Sequence, residues 1–279
     1  ESITTPFTVH RNEETNNSIS SDIVGPMMED GRGNLWIGTE AEGLNYFDRK
    51  AKQFRHFRND ETNQASLSSN LVKTLYRDGQ DNIWVGLHGG GINVLDPSGR
   101  KLKAFDNKTL NSMDVISLMS DKDNRIWAGT VEDGVNIIDL SNDKVQKFED
   151  FFPKYRLASN AITYLFRDSK DNIWIGTRQG LSKLQAGSDE LINYVRSSAP
   201  GQLLSDYINC IAEDRNAIIW IGTYGGLSFY DPVNKRFGTY TTANGLAGNK
   251  VVGLVTDKNN NLWISTDNGL GFLDSARKT

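Results

Sequence analysis

The chain has 279 residues, of which 37% are hydrophobic and 24% charged, and its formal net charge is −4. Lys and Arg are scattered along it without a basic stripe, which argues against nucleic acid or an anionic membrane surface as a partner. No run of about 18 apolar residues occurs, so no membrane-spanning helix and no membrane contact are expected. The single cysteine, Cys210, excludes an internal disulfide, and its apolar neighbours in the sequence predict a buried, unreactive thiol.

A tryptophan-centred motif recurs six times along the chain. Its first copy is Gly33–Thr39 (GNLWIGT), and every copy places the tryptophan between apolar residues. Successive tryptophans lie 43 to 48 residues apart, a period typical of repeat proteins. The six tryptophans are Trp36, Trp84, Trp127, Trp174, Trp220 and Trp263.

Each repeat contains four short predicted strands, and the second repeat shows the pattern most clearly. Leu71–Arg77 alternates apolar and polar residues, as a half-buried strand does. After a turn rich in Asp, Gly and Asn, Ile83–Leu87 is apolar throughout, which predicts a strand covered on both faces. Ile92–Asp96 and Lys101–Phe105 follow as the third and fourth strands. No helical period is present, and four-stranded units of this length predict the blades of an all-β propeller, with a solenoid as the alternative.

The two ends of the chain predict how the propeller closes. The last repeat stops after its third strand, at Gly271–Asp274. The N-terminal Phe7–Asn16 aligns with Phe54–Asn63, which is the fourth strand of the first repeat and the link after it. We therefore expect residues 6–11 to pair with the last blade, residues 249–274, and to remove its open edge. The predicted fold is one domain, residues 1–279, forming a six-bladed β-propeller of four-stranded blades.

A polar residue precedes the first strand of every repeat and alternates between Asp and Asn. Because first strands are innermost in a propeller, these six side chains are expected to gather at one mouth of the central channel. Two interpretations remain open: an Asx turn that enters the strand, or a polar collar that binds a cation, water or a sugar hydroxyl. The residues are Asp22, Asn70, Asp114, Asn160, Asp206 and Asn249.

The turns between second and third strands differ from repeat to repeat where the strands do not. Variable loops on a rigid scaffold are where recognition usually resides. His, Arg and Tyr in these turns can stack on sugars or bind carboxylates, so this face, which the interblade links share, is the candidate ligand-binding surface. Docking of another domain, or simple solvation, is the alternative. The candidate residues are Glu40, His88, Glu132, Arg178, Tyr224 and Asp267.

An aspartate six positions before each tryptophan begins the turn between the first and second strands, as in Asp121–Asn124. The spacing and the closing Glu of a calcium loop are absent, so hydrogen bonds to the turn backbone explain these residues better. No metal site and no cofactor are predicted. No catalytic arrangement stands out either, and His10 and His56 are expected on outer fourth strands facing solvent. The aspartates that begin the turn between first and second strands are Asp30, Asp78, Asp121, Asp168, Asp214 and Asp257.

The repeats resemble the two-component regulator propeller repeat. The match rests on Asp, a short turn, Asn-(Leu/Ile)-Trp-(Ile/Val)-Gly-Thr, then Gly-Leu and an apolar pair before Asp, as in residues 30–48 and 214–231. All six repeats fit, so the resemblance covers nearly the whole chain. It implies the periplasmic sensor region of a hybrid two-component system, common in gut Bacteroidetes, that detects oligosaccharides released from complex glycans. It further implies a longer protein with tandem propellers, a β-sandwich, a membrane helix and a dimeric histidine kinase. The family's propellers are typically seven-bladed, so six repeats are a departure that leaves a further blade outside this chain as an alternative.

Three functions are compared. The leading one is a periplasmic, non-enzymatic sensor propeller whose partners are an oligosaccharide and a neighbouring propeller or β-sandwich domain. The second is a scaffold propeller that binds protein and no small ligand. The third is an enzyme, because the streptogramin lyases have somewhat similar repeats and use a His with a metal. His88 with Glu132 could imitate that arrangement, although a second His on the same face is lacking.

Overall fold

A computed structural model describes residues 8–13, 15, 17–188, 190–197 and 202–276. Over these residues the chain is almost entirely β, and its strands form six antiparallel sheets in which consecutive strands pair side by side. Each sheet corresponds to one sequence repeat, and the fold is the predicted six-bladed β-propeller. The chain divides into two compact units, Glu1–Leu118 and Met119–Thr279, and the division falls within the first strand of blade three.

The first unit contains blades one and two. The strands of blade two begin and end within one residue of the predicted ones, because turn residues in the sequence mark their limits clearly. Blade one consists of β1 (Val24–Glu29), β2 (Leu35–Thr39), β3 (Leu44–Asp48) and β4 (Gln53–Phe57). Blade two consists of β5 (Val72–Arg77), β6 (Ile83–Leu87), β7 (Gly91–Leu95) and β8 (Lys101–Phe105).

The second unit contains most of blade three and all of blades four to six. Blade three consists of β9 (Val115–Ser120), β10 (Arg125–Thr130), β11 (Val135–Asp139) and β12 (Lys144–Lys147), followed by helix α1 (Phe148–Phe151). Blade four consists of β13 (Ile162–Arg167), β14 (Ile173–Thr177), β15 (Gly180–Leu184) and β16 (Leu191–Tyr194). Blade five consists of β17 (Ile208–Glu213), β18 (Ile219–Thr223), β19 (Gly226–Asp231) and β20 (Arg236–Tyr240), followed by a 3₁₀ turn (Thr242–Asn244). Blade six consists of β21 (Val251–Thr256), β22 (Leu262–Thr266) and β23 (Gly269–Leu273).

The tryptophan of each blade lies in its second strand and is buried in blades one to five. In these blades an aromatic side chain from the end of the fourth strand, or from α1 in blade three, packs against the indole ring. The ring centroids are 5.4 to 6.4 Å apart, which is the usual range for attractive aromatic pairs. The pairs are Trp36–Phe57, Trp84–Phe105, Trp127–Phe148, Trp174–Tyr194 and Trp220–Tyr240.

In blades two to six, the aspartate at the start of the first turn holds both the turn and the tryptophan. In blade two, Asp78 Oδ1 accepts hydrogen bonds from the backbone N–H groups of Gln80 and Asn82, each at 2.9 Å. Its other oxygen, Oδ2, accepts from Trp84 Nε1 at 2.9 Å. This confirms the predicted turn role and supplies the partner that a buried indole N–H needs. The same Asp–Trp bond occurs in blades three to six, as Asp121–Trp127, Asp168–Trp174, Asp214–Trp220 and Asp257–Trp263.

The glycine two positions after the tryptophan lets the next blade approach closely. A Cβ atom on Gly222 would lie 2.7 Å from Cγ1 of Val251, the first residue of the following blade. A Cβ atom on Gly38 would lie 2.5 Å from Cγ1 of Val72. Both valines are buried, so the interblade contact is made by a branched side chain seated directly on glycine backbone.

The short helix α1 is a difference from the sequence prediction, which contained no helix. It follows β12 directly and carries Phe148, which is fully buried against Trp127. Phe148 thus stands where the other blades place the last aromatic residue of the fourth strand. The neighbouring Phe151 and Phe152 pack against the same core, so the aromatic residues of this segment are buried by a helical turn.

The segment expected to close the propeller, residues 6–11, is described from residue 8 onward. Residues 8–11 form no strand, and over the described residues blade six has three strands. The His10 ring instead packs against Phe47 and Phe54 of blade one, with centroids 4.8 and 5.4 Å apart. Residues 6 and 7 lie outside the described residues, and closure by this segment stays a prediction.

Asn12, the residue that follows this segment, makes the hydrogen bond that its alignment with Asn59 predicts. Asn12 N–H donates to Asp22 Oδ1 at 2.8 Å. The aligned residue Asn59, which follows a fourth strand, donates in the same way to Asn70 Oδ1 at 2.7 Å. The chain before β1 therefore begins as an interblade link does.

Candidate functional site

In the first unit, the candidate turn residues form polar contacts that join adjacent repeats. Glu40, after β2, accepts from Lys73 Nζ of β5 at 2.7 Å. His88, after β6, places Nδ1 2.9 Å from Asp114 Oδ1, and this oxygen also accepts from Gly89 N–H at 2.7 Å. Two candidate groups, the turn residue His88 and the collar residue Asp114, are thus brought together, while Glu40 pairs with a strand residue that the sequence did not single out.

In the second unit, the candidate turn residues also have partners from neighbouring repeats. Arg178 lies 3.8 Å from Glu132, a distance at which two exposed charges attract weakly. The rings of Tyr224 and Tyr207 stack with their centroids 4.1 Å apart, and Lys250 Nζ lies 4.7 Å from the centroid of the Tyr224 ring. A ligand that stacks on Tyr224 would have to displace or share these contacts.

Asp267, the last candidate turn residue, belongs to blade six. Its backbone N–H donates to Lys250 O at 3.0 Å, which ties the turn to the segment before β21. Among the described residues, no group of three or more His, Cys, Asp or Glu side chains could hold a metal ion.

Four of the six residues predicted to form a collar accept backbone hydrogen bonds from the link that precedes them. Asp22 Oδ1 and Asn70 Oδ1 receive the bonds from Asn12 and Asn59 described above, Asn249 Oδ1 accepts from Thr242 N–H at 2.9 Å, and Asp206 Oδ1 accepts from Arg196 N–H. These donors lie 7 to 11 residues earlier in the chain, so the bonds fasten the link to the start of the first strand.

The local turn at this point is made by a serine and not by the Asp or Asn, which corrects the Asx-turn interpretation. Ser21 Oγ accepts from Ile23 N–H at 3.0 Å, and Ser69 Oγ accepts from Leu71 N–H at 3.2 Å. A serine hydroxyl can close such a turn because it reaches the N–H two residues later. The same bond is formed by Ser112, Ser159 and Ser205. Asn160 contributes its backbone carbonyl oxygen, which accepts a hydrogen bond from Gly134 N–H at 2.8 Å.

A polar cavity of about 480 Å³ in the first unit was not predicted from the sequence. It lies between the link that precedes β1, the turn after β2 and the end of β4. Its volume is within the range of roughly 300–1,000 Å³ that is usual for small-molecule sites. The lining residues are Asn12, Thr15, Ile19, Ser20, Ser21, Asp22, Glu42, His56 and Arg58.

His56 is half-buried in this cavity, which corrects the expectation that it faces solvent. Its Nε2 lies 2.8 Å from the carbonyl oxygen of Ser18. A carbonyl oxygen can only accept, so Nε2 donates its proton to this bond, and Nδ1 is left for other contacts. A comparison of the repeats at the fourth strand could have revealed this site, because His56 and Arg58 align with Ala104 and Asp106.

The remaining reactive side chains have ordinary structural roles. Cys210 is buried and free of disulfides, and burial raises the pKa of its thiol to about 12, so it is a poor nucleophile at neutral pH. His88 and Glu132, the two residues of the lyase-like alternative, are each paired with another residue, Asp114 and Arg178.

No helix in the described part of the chain is long and apolar enough to cross a membrane.

A family model described as the two component regulator propeller matches the chain six times and covers more than half of it. No curated protein sequence matches the chain. The matched segments are residues 17–41, 66–89, 109–132, 156–179, 202–225 and 245–268.

Solved structures of bacterial sensor regions are similar over nearly the whole chain. The extracellular domain of the putative hybrid two component system BT3049 from B. thetaiotaomicron is 27% identical, with a TM-score of 0.77. That alignment covers 92% of this chain and 34% of the other. The extracellular domain of the putative hybrid two component system BT4673 from the same organism is 18% identical, with a TM-score of 0.77 over 96% of this chain and 36% of the other. The chain therefore spans about a third of the length of these proteins.

A virginiamycin B lyase from Staphylococcus aureus also has a similar structure. It is 11% identical, with a TM-score of 0.66, and the alignment covers 92% of this chain and 86% of the lyase. At this identity the likeness concerns the fold alone.

Proposed function

Because the chain belongs to the two component regulator propeller family, we propose that it is a ligand-sensing propeller from the periplasmic sensor region of a hybrid two-component signalling protein. The observation that carries this proposal is the 27% identity, over 92% of the chain, with the extracellular domain of a putative hybrid two component system. The ligand class we propose is an oligosaccharide derived from a glycan. The extracellular domains in these comparisons are about three times longer than this chain, and in our proposal a kinase would lie outside the chain.

The proposed binding surface is the face formed by the turns after the second strands and by the interblade links. These turns carry charged and aromatic side chains on strands that are buried and closely packed, so the scaffold is rigid and the turns can vary. Ion pairs such as Glu40–Lys73 and the Tyr207–Tyr224–Lys250 stack join one repeat to the next. A ligand that replaces such a contact would change packing between repeats, and this change would bias a neighbouring domain toward one signalling state.

The test is isothermal titration calorimetry of the chain with oligosaccharides prepared from plant and host glycans. Saturable heat with one glycan class, weakened by Y224A or R178A, would support ligand sensing on this face. The matched control is R100A, which removes an exposed arginine that bonds to Asp96 in the turn between β7 and β8, at the opposite end of the strands. An absence of heat with every oligosaccharide would contradict the proposal.

A second candidate function, a scaffold propeller that binds protein, is favoured by one observation. Leu270 and Phe272 on the last strand of blade six are large apolar side chains that remain exposed. Exposed apolar surface of this kind is typical of protein contacts. Binding of a neighbouring β-sandwich domain, abolished by L270D and unaffected by sugars, would favour this function over ligand sensing. We propose no catalytic activity for the chain, since His88 lies against Asp114 and Glu132 lies near Arg178.

A further inference from the structure

The cavity of the first unit differs in charge from the corresponding region of the other repeats. In blade one, three polar side chains lie around the link that precedes β1. They are Glu42 before β3, His56 in β4 and Arg58 just after β4. The corresponding positions in blade two are Gly90, Ala104 and Asp106. The other blades place Lys147, Asn193 and Thr239 at the position of His56. The structural needs of a repeat therefore do not account for the three side chains in blade one.

In blade two the corresponding link is closed by the protein itself. Lys101 Nζ donates to the carbonyl oxygens of Gln64 at 3.1 Å and Ser66 at 2.8 Å. In blade one the carbonyl oxygen of Ser18, which corresponds to that of Ser66, is held by His56 Nε2 instead, and an open cavity of about 480 Å³ lies beside this contact.

The polar groups in the cavity include both donors and acceptors. Arg58 lies 3.1 Å from Glu42 Oε2, and both side chains are about half exposed, so they remain accessible to a ligand. Ser21 Oγ accepts from Ile23 N–H, which leaves its own hydroxyl hydrogen to donate. Asp22 and Glu42 supply carboxylate oxygens, and His56 supplies its second ring nitrogen, Nδ1, because its Nε2 is bonded to Ser18 O.

We propose that this cavity binds one saccharide residue of a neutral glycan ligand. Adjacent hydroxyl groups of a sugar each donate and accept, which matches a lining that alternates carboxylates, an arginine, an imidazole and hydroxyls. Two carboxylates against one guanidinium disfavour an anion. The described residues contain no cluster of three acidic or histidine ligands, which disfavours a bound metal ion. The inference rests on the proposed function, because it takes the saccharide class from it and assigns the place where the sugar is held.

The test uses the imidazole NMR signals of the chain, which has three histidines. The probes are D-glucose, D-galactose, D-mannose and L-arabinose, each titrated to high millimolar concentration. We expect at least one of them to shift the ring signals of His56 in the cavity and to leave those of His88 in the turn after β6 unchanged. The variant R58Q is expected to weaken this binding about tenfold, because it removes a charge-assisted hydrogen bond.

R49Q is the matched control for R58Q. Arg49 lies 3.1 Å from Glu29, and its exposure is nearly the same as that of Arg58, but it lies outside the cavity lining. Equal binding by R58Q and R49Q, or no shift of His56 with any of the four sugars, would overturn the assignment of the cavity. If oligosaccharides bind and shift His88 while His56 stays unchanged, the cavity assignment fails and the proposed sensing function stands.

Discussion

Blades five and six have nearly the same motif but very different burial. Trp220 in blade five is 3% exposed, whereas Trp263 in blade six is 39% exposed. The leucine at the second position of the third strand shows the same contrast, with Leu227 at 1% exposure and Leu270 at 64%. Both blades hold the indole N–H with an aspartate six residues earlier, at 2.8 and 3.2 Å, so the turn itself is preserved.

The difference comes from what covers each blade. In blade five, Tyr240 of the fourth strand stacks on Trp220, and Val251, Leu262 and Ile264 of blade six pack on the same side. In blade six, the described residues supply no fourth strand beside β23, and Trp263 lacks that cover. The motif therefore specifies the turn and the strand, while the neighbours supply most of the apolar burial that stabilises the fold.

The largest expected effect is the loss of the buried tryptophan of blade five. W220A removes a large side chain from a close-packed core and should reduce the free energy of unfolding by about 3–5 kcal/mol. W263A should reduce the free energy of unfolding much less, because the ring of Trp263 is already partly exposed to water. Urea unfolding followed by circular dichroism measures both losses, and equal losses would show that Trp263 is covered in solution.

Removal of residues 1–11 tests the predicted closing strand. If this segment supplies the fourth strand of blade six, its deletion should speed hydrogen exchange of the amides of Gly269–Leu273 and leave β19 of blade five protected, because β19 already has β20 as its partner. Hydrogen–deuterium exchange with mass spectrometry measures this. Unchanged exchange of Gly269–Leu273 would contradict closure by the N-terminal segment.

An added methyl group between blades five and six should have a smaller effect than either change above. G222A places a Cβ atom 2.4 Å from Cys210 Sγ and 2.7 Å from Val251 Cγ1, and overpacking of this kind costs about 1–3 kcal/mol. Blade six has Ser265 at this position, and Gly253 opposite it leaves the room. S265A is the control and should stay within about 0.5 kcal/mol of the parent chain by thermal unfolding.

The smallest expected effect concerns the turn of blade six. The side-chain N–H of Asn261, followed by the backbone N–H of Asn261, lowers the pKa of Asp257 from 3.8 to about 2. Because the folded chain binds this proton more weakly than the unfolded chain, the ionised carboxylate stabilises the fold above pH 3.8, and this contribution is lost as the pH falls through about 2. D257N should therefore lower the urea midpoint slightly at mildly acidic pH, with the difference shrinking below pH 3.8. A difference that does not change with pH would mean that the carboxylate charge has no part in it.

The sequence was sufficient for the parts of the fold that depend on local chemistry. The strands of blade two were predicted to within one residue, because Asp, Gly and Asn mark their turns. Helix α1 was missed, because four residues are too few to show a helical period, and Phe148 is helical for tertiary reasons.

The candidate site was harder to predict than the fold. The turn residues were identified by their variation, but the sequence could not show that Glu40 pairs with Lys73 or that Tyr224 stacks on Tyr207. The local turn was assigned to Asp and Asn, whereas serines such as Ser21 form it. Both kinds of residue can bond to a nearby N–H, and the choice depends on where the preceding link lies.

By itself, the sequence determined the number of repeats, the order of strands and the place of each Asp–Trp turn, because these depend on periodic burial and on bonds between residues six apart. Tertiary structure alone decided which tryptophans are buried and where space remains. Trp220 and Trp263 have the same local motif and differ in their neighbours, and the cavity at His56 and Arg58 exists because two segments more than thirty residues apart meet without filling the space between them. Burial and cavities are properties of packing between distant segments, and a local motif does not encode them.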